Sequence, residues 1–259
     1  MRLLTHSSYL TIVRQMEVPK YWGSWRGRII RAIAVDLIYI KDEIRSATGL
    51  TEQQLEKASS ELLQTEVISE RDGGRYWVNH QLCNGYREFC DKRKASFTGW
   101  FSEYKRNKGL PDSSHCFVED KHLEELSMAL INKAEVEVLV TNPFIERCHL
   151  SNTLIEASKR KVPVVLVTRP IYEKDSYRGR KEAYHRKLRD SGVAINPDNA
   201  VHAKILVADR AVAVVSSMNL SSSSSGGGSW EAGIVTTDEN ILTRVVFSIH
   251  KRLGIFKWA

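Results

Sequence analysis

The spacing of apolar positions divides the chain into two regimes. Between Trp25 and Asn79 the period is first helical and then alternating. Ile29, Ile30, Ile33 and Leu37 share one face of a helix predicted over Arg26 to Leu37. A short second helix, Lys41 to Ala47, ends at Thr48-Gly49. Thr51 caps a third, Glu52 to Thr65, which buries Leu55, Ala58, Leu62 and Leu63. Strands at Val67 to Glu70 and Arg75 to Val78 then flank the turn Arg71-Asp72-Gly73-Gly74. Gln81 to Lys108 reads as one long helix carrying Tyr86, Phe89, Cys90, Phe97, Trp100, Phe101 and Tyr104 together with Arg87, Lys92, Arg93, Lys94, Lys105 and Arg106. That composition fits a basic, aromatic strip for nucleic acid. It fits better a connecting helix with a packed aromatic face and a solvated charged one.

Beyond the breaker run Lys108 to Ser113 the pattern alternates strand and helix. Strands are predicted at Val136 to Val140 and Val162 to Val167, and helices around Glu119 to Lys133 and Ser151 to Lys161. A helix near Gly179 to Asp190 follows, then strands near Val193 and at Gly233 to Thr236, and a last helix from Glu239. Such alternation predicts an α/β sandwich. Arg169-Pro170 ends a strand where ligand-contacting loops emerge. Lys174, Arg178, Arg180, Lys181, Arg186 and Lys187 follow it, as a substrate-backbone tract or as an ordinary solvated helix face.

The chemistry concentrates in His202-Ala-Lys204-Ile-Leu-Val-Ala-Asp209 and in Ser216-Ser217-Met218-Asn219. Val201 to Ala208 and Ala211 to Val215 read as strands joined by a two-residue turn at Asp209-Arg210. Ala208 then pairs with Ala211, Lys204 lies opposite Val215, and His202 lies opposite Ser217. Alternate side chains share a face, so His202, Lys204 and Ser217 project together, with Asn219 just beyond the strand end. An imidazole nucleophile that titrates near neutral pH, an ammonium, a hydroxyl and an amide suit attack on a phosphodiester.

Composition narrows the setting. The net charge of +7 favours a polyanionic partner. No apolar run has membrane-spanning length, and the start Met1 to His6 turns polar too soon for a signal peptide, so no membrane partner and a cytoplasmic location are expected. Cys83, Cys90, Cys116 and Cys148 have no paired short spacing, so neither a disulfide framework nor a metal site is expected. The run Ser221 to Ser225 with Gly226 to Gly228 is low in complexity, either a loop that admits a polymer or an insertion without a role.

The signature resembles His-x-Lys-x4-Asp-x6-Gly-Ser-x-Asn of the phospholipase D superfamily, the HKD motif, at His202, Lys204, Asp209, Ser217 and Asn219. Ser216 stands where glycine is usual. The resemblance places the family's downstream acidic residue at Glu231 in Trp230-Glu231-Ala232-Gly233. It implies a metal-free, cofactor-free, two-step reaction. His202 attacks phosphorus, a second histidine protonates the leaving oxygen, and water activated by that histidine releases the phosphohistidine. Lys204 and Asn219 hold the phosphate, Ser217 assists, and Glu231 orients an imidazole. Asp209 belongs to the candidate catalytic set, although a turn aspartate bonding its own backbone is the favoured reading. One copy of the motif is read in the chain, with no second His-x-Lys expected at His80, His115, His122, His149 or His185. The second histidine is therefore expected from another subunit across a two-fold axis, in a homodimer.

The first region is similar to a winged helix-turn-helix domain, with Thr48-Gly49-Leu50-Thr51 as the turn. The expected organisation is a winged-helix unit at 1–80, a connecting helix and linker at 81–112, and a phospholipase D-like catalytic domain at 113–259. Glu52, Glu56 and Glu61 against Lys57 alone disfavour the third helix as a DNA reader. Arg71 and Arg75 on the wing, and Arg26, Arg28 and Arg31 on the first helix, are better candidates for nucleic acid, as are Arg169, Lys174, Arg178, Arg180 and Lys181 in the second domain. The winged unit otherwise fits a protein partner. Three functions remain open. A nuclease cutting DNA or RNA is favoured. A lipid phosphodiesterase is disfavoured by the basic charge and by the lack of an amphipathic anchor. A transcription regulator built on the same two domains is the third.

Overall fold

The computed structural model describes residues 23–254 except Asp72, Asn79, Gly226 and Gly227, and in the long helix omits the side chains of residues 80–83, 85 and 89. The expectations for the chain's start, for Cys83 and Phe89, and for Gly226-Gly227 lie outside the described residues. Three helices, α1 (Trp25–Ala34), α2 (Lys41–Thr48) and α3 (Glu52–Gln64), lead into a hairpin of β1 (Ile68–Arg71) and β2 (Arg75–Val78). The long helix α4 (His80–Asn107) follows. Next come β3 (His115–Glu119), α5 (Asp120–Lys133), β4 (Val138–Thr141), α6 (His149–Lys159), β5 (Val164–Thr168), α7 (Arg178–Asp190) and β6 (Ala194–Pro197). Strands β7 (Lys204–Ala208), β8 (Val212–Ser216) and β9 (Ala232–Thr236) and helix α8 (Glu239–Arg252) complete the α/β fold.

Local chemistry accounts for these boundaries. Thr51 Oγ1 accepts from Gln54 N at 3.2 Å while Gln54 Oε1 accepts from Thr51 N at 3.0 Å, a reciprocal cap that starts α3. Gly49 ends α2 at φ 66°, and a Cβ there would lie 2.0 Å from Ala194 Cβ, so the turn needs glycine for conformation and for contact. Helix α1 stops earlier than its periodicity predicts. Leu37 takes φ 57° and is exposed, and this turn places Asp36 against Arg210.

Seven strands form one mixed sheet in the order β3-β9-β8-β7-β4-β5-β6. β4, β5 and β6 run parallel and the other pairings are antiparallel. Helices α5, α6 and α7 and the end of α4 cover one face. Helix α8 packs on the other face together with α1, α2 and α3, so one continuous core takes in Ile29, Ile33 and Leu55 with Leu139, Val165 and Val207. The helical unit therefore shares its core with the sheet instead of enclosing one of its own.

Helix α4 ties the two parts together. Tyr86 near its start donates to Gly27 O at 3.2 Å, and Phe97 and Phe101 near its end enter the core on the opposite side of the sheet. Four of its cations are engaged in the fold, while Lys92 and Arg106 are exposed: Arg87 donates to Ala34 O, Arg93 pairs with Glu135, Lys94 with Glu239, and Lys105 donates to Ser113 O. This is the connecting-helix reading.

A buried ion network fastens the helical unit to the edge of the sheet where β4 begins and β7 ends. Glu137 is paired with Arg31 at 2.9 Å and with Arg210, and Arg210 also holds Asp36. Arg31 and Arg28 are thus buried structural groups and not nucleic-acid contacts; Arg28 donates to Gly23 O and Thr48 O. Beside the network, the Asp209 carboxylate accepts from the backbone N–H groups of Glu135, Val136 and Glu137 at 2.8–3.2 Å. Burial pushes that carboxyl up to about 6, against the lowering effect of those donors. The predicted hairpin register is off by one. Asp209 and Arg210 both have positive φ, as the turn requires, but Ala211 is an extra residue and the ladder resumes at Ala208↔Val212.

Candidate active site

The strand ends that carry the candidate residues meet at the opposite edge of the sheet. Thr141, at the end of β4, pairs with Ile205 near the start of β7. Lys204 pairs with Ser216 at the end of β8, and Ser216 pairs with Gly233 near the start of β9. His202, Lys204, Ser217, Asn219 and Glu231 are therefore gathered on one rim, where β4 and β5 present their carboxyl ends. The one-residue slip puts Ser216, not Val215, opposite Lys204. Ser217 lies past the last ladder pair, on the side opposite to Lys204, and its N–H donates to Ala232 O at 2.9 Å.

Within this rim His202 is exposed, and no described side chain is hydrogen-bonded to its imidazole. Lys204 Nζ donates to His202 O at 3.2 Å, which ties the ammonium to the histidine's own backbone. Ser217 Oγ donates to Glu231 Oε2 and accepts from Ala232 N at 3.1 Å. Within one chain Glu231 thus fixes the serine, where the resemblance had it orienting an imidazole; the end of β8 brings Ser217 against the start of β9. Asn219 is half-buried, with Oδ1 enclosed and unpartnered among the described residues. Asp209 lies at the far end of β7, where its oxygens are occupied by backbone, so it is remote from the other candidates.

Three positioning residues escaped the sequence reading. Buried Asn142 donates from Nδ2 to Met218 O at 3.1 Å and accepts at Oδ1 from Leu220 N and Phe144 N, clamping the turn on which Asn219 stands. Thr141 Oγ1 donates to Ala203 O at 3.1 Å, between His202 and Lys204. Asp120, at φ 49°, takes Glu231 N on Oδ1 and gives its own N–H to Glu231 O. The signal for Asn142 was available: Asn142-Pro143 follows a strand as Arg169-Pro170 does. Replacing Asn142 with alanine removes three bonds from a buried turn. A loss of about 2 kcal/mol and roughly tenfold in kcat/KM is expected, read by thermal melting and steady-state kinetics.

The cationic candidates separate into groups. Arg169 donates to Val201 O at 3.1 Å and stacks 5.5 Å from the Phe144 ring, next to His202. With Lys174, Lys181, Tyr172 and His185 it lines a cavity of about 310 Å³ at the ends of β4 and β5. Arg178 is paired with Glu182, and Arg180 lies over Tyr177. Arg71 and Arg75 are cross-strand partners on the hairpin, with Arg71 4.5 Å over Trp77. Arg26 pairs with Glu61. A second His-x-Lys does exist, His185-Arg186-Lys187, but Gly192 occupies the place of its aspartate. His185 is buried in α7, where burial and the nearby Arg189 and Lys181 pull its imidazole below the usual range. It is no second copy of the rim.

Residues 128–251 match the family model described as "Cardiolipin synthase, PLD-like domain". This part of the chain has a phospholipase D-like fold. Several solved structures resemble it. Nuc, a phospholipase D family member from Salmonella typhimurium, is 16% identical over 54% of this chain and 95% of its own, with a TM-score of 0.48. NucT from Helicobacter pylori is 11% identical over 54% and 95%, at 0.45. TrmBL2, an archaeal chromatin protein, is 11% identical over 88% and 90%, at 0.41. No curated protein matches the sequence. The residues that resemble the HKD pattern lie on the rim just described, apart from Asp209. Among the described residues no helix is long and apolar enough to cross a membrane.

An expected result follows for the outlying aspartate. Asp209→Asn is expected to lower the melting temperature by several degrees, because an amide cannot accept from all the N–H groups that the carboxylate serves. Its kcat/KM is expected to stay within about threefold of wild type. A collapse of kcat in a variant that melts normally would return Asp209 to the chemistry.

Proposed function

We propose that the protein is a metal-independent nuclease that hydrolyses phosphodiesters of DNA or RNA through a phosphohistidine, with one motif supplied by each subunit of a homodimer. The observation that carries this reading is the convergence of His202, Lys204, Ser217 and Asn219 on one rim of a phospholipase D-like domain.

The His202 imidazole forms a bond to phosphorus as the P–O bond to the leaving alcohol breaks, and an imidazole of the second subunit gives its proton to that oxygen. Water then attacks the phosphohistidine, yields a proton to the second imidazole, and releases a phosphate monoester with His202 regenerated. Lys204 and the Asn219 amide hold the non-bridging oxygens, and Ser217, whose hydroxyl proton goes to Glu231, assists by fixing the turn that leads to Asn219. Arg169 and its neighbours Lys174 and Lys181 suit the flanking phosphates, with Arg71, Arg75, Arg178 and Arg180 as outlying contacts. The polar rim and the net charge of +7 favour nucleic acid over a lipid diester.

The test is cleavage of labelled single- and double-stranded DNA and RNA in excess EDTA. Cutting of at least one polymer is expected, with fragment ends that identify the bond broken. No cutting of any of them by folded protein would overturn the nuclease reading in favour of a lipid diester or of DNA binding alone.

A further inference from the structure

The cavity of about 310 Å³ at the ends of β4 and β5 is tied to both segments that carry the phosphate-facing residues. On one side Arg169 donates to Val201 O at 3.1 Å and the Tyr172 hydroxyl donates to Asn199 Oδ1 at 3.0 Å, so this wall adjoins His202. On the other, Ile145 is bridged to Leu220, and Glu146 N donates to Leu220 O at 2.8 Å, next to Asn219. Phe144 N donates to the same Asn142 Oδ1 that accepts from Leu220 N. The cavity thus shares its supports with the nucleophile and the phosphate ligand, although neither side chain lines it.

Its walls combine two kinds of group that the fold leaves unused. Phe144 and Tyr172 are 44% and 39% exposed. Among the described residues Lys174 and Lys181 have no ion pair, whereas Arg178 between them is held by Glu182. Arg169 joins the two sets, with its guanidinium 5.5 Å from the centre of the Phe144 ring. Glu146 and Asp175 carry the opposite charge, but Asp175 accepts from Tyr172 N at 3.0 Å, and the cations stay in excess. Aromatic faces beside unpaired cations match a nucleotide, which offers a π-face and an anion together.

We infer that this cavity holds one nucleotide flanking the scissile phosphate, with its base against Phe144 and Tyr172 and its phosphate on Lys174 and Lys181. The inference rests on the nuclease reading and names the form of nucleic acid that the site takes. In a duplex the faces of each base are covered by its neighbours, so a base reaches these rings only after it has been unpaired and unstacked. An unpaired strand avoids the unpairing cost, and stacking on an aromatic ring is available to any base. The site therefore selects unpaired strands and is tolerant of sequence.

The experiment measures binding by fluorescence anisotropy in EDTA, in a His202→Ala background that prevents turnover, and cleavage rates with His202 in place. The probes are a labelled single strand, its duplex, and the same strand made abasic throughout. Tighter binding and faster cleavage of the single strand than of the duplex, by about tenfold or more, are expected. Phe144→Ala and Tyr172→Ala, with folding verified by circular dichroism, are expected to lose roughly tenfold in affinity for the intact strand and to bind the abasic strand and the duplex as before. A further pair tests stacking apart from bulk and holds even if the alanine variants fold poorly: Phe144→Trp is expected to keep the tight binding and Phe144→Leu to lose it. Equal affinity for strand and duplex would overturn the inference. So would an equal loss on intact and abasic strands, which marks a contact to the backbone, or a leucine variant that binds as the tryptophan variant does. Strand and duplex cut at the same rate, with and without the rings, would leave the nuclease reading standing while the cavity assignment fails. Ring-dependent binding of the intact strand with no cleavage of any polymer would leave the cavity standing while the nuclease reading fails.

Discussion

Replacing His202 with alanine is expected to lower kcat by roughly four orders of magnitude or more, with the melting temperature and substrate affinity unchanged. The side chain is exposed and no described side chain depends on it for a hydrogen bond, so its removal does not disturb the fold. Uniform binding through Lys204, Asn219 and the Arg169 cavity is left intact, so the loss falls on kcat and not on KM. Lys204→Met provides the contrast. It removes a charge from the phosphate site, which lowers affinity and turnover together. A His202→Ala protein that cleaves at the wild-type rate would remove the imidazole from the mechanism.

The second large effect concerns stability. Arg210→Ala is expected to cost about 3–5 kcal/mol, because Asp36 loses its cation and Glu137 keeps only Arg31. At this chain length that is a fall of roughly 10 °C in the melting temperature, readable by calorimetry. A shift under about 2 °C would mean that the network is not what fastens the helical unit to the sheet. The pH dependence has a definite sign. Burial alone would raise the Glu137 carboxyl, but Arg210 and Arg31 reverse this and hold it near 2. Its folded value is depressed, so the contribution to stability is present above the unfolded value of 4.5 and is lost as pH falls toward 2. The acid limb of the stability curve is expected to be shallower in Arg210→Ala than in wild type.

Much of the fold was legible because its signals are local. Alternating apolar strands, the Thr51 cap and Gly49 place most elements within a few residues of where they lie. The exceptions have long-range causes. Strand β3 buries only Cys116 and Val118, too few apolar residues to stand out beside His115 and Glu119. Helix α1 ends early because Asp36 is drawn to Arg210, more than a hundred residues away in sequence. The same contact explains the register: with Arg210 taken up by Asp36 and Glu137, and Asp209 by the β4 approach, Ala211 becomes the extra residue of the loop.

The candidate site was legible to the same degree. A motif names the residues that could meet the phosphate but not those that hold them. Thr141 and Asp120 act through backbone groups of distant segments, and nothing in their own surroundings in the sequence marks them; only Asn142 carries a local signal, the Asn-Pro step after a strand. The charged residues of α1 and α4 illustrate the converse. On sequence they could face a polyanion, yet Arg28, Arg31, Arg87, Arg93 and Lys94 are occupied by carbonyls and carboxylates of the fold.

The covalent intermediate is the most direct test of the central claim. Protein mixed with a labelled oligonucleotide in EDTA would be quenched in base within one turnover, digested, and sequenced by mass spectrometry. A base-stable, acid-labile phosphoryl adduct on His202 is expected, absent from His202→Ala. Rapid cleavage with no adduct, or an adduct on another residue, would contradict the assignment of His202 as the nucleophile.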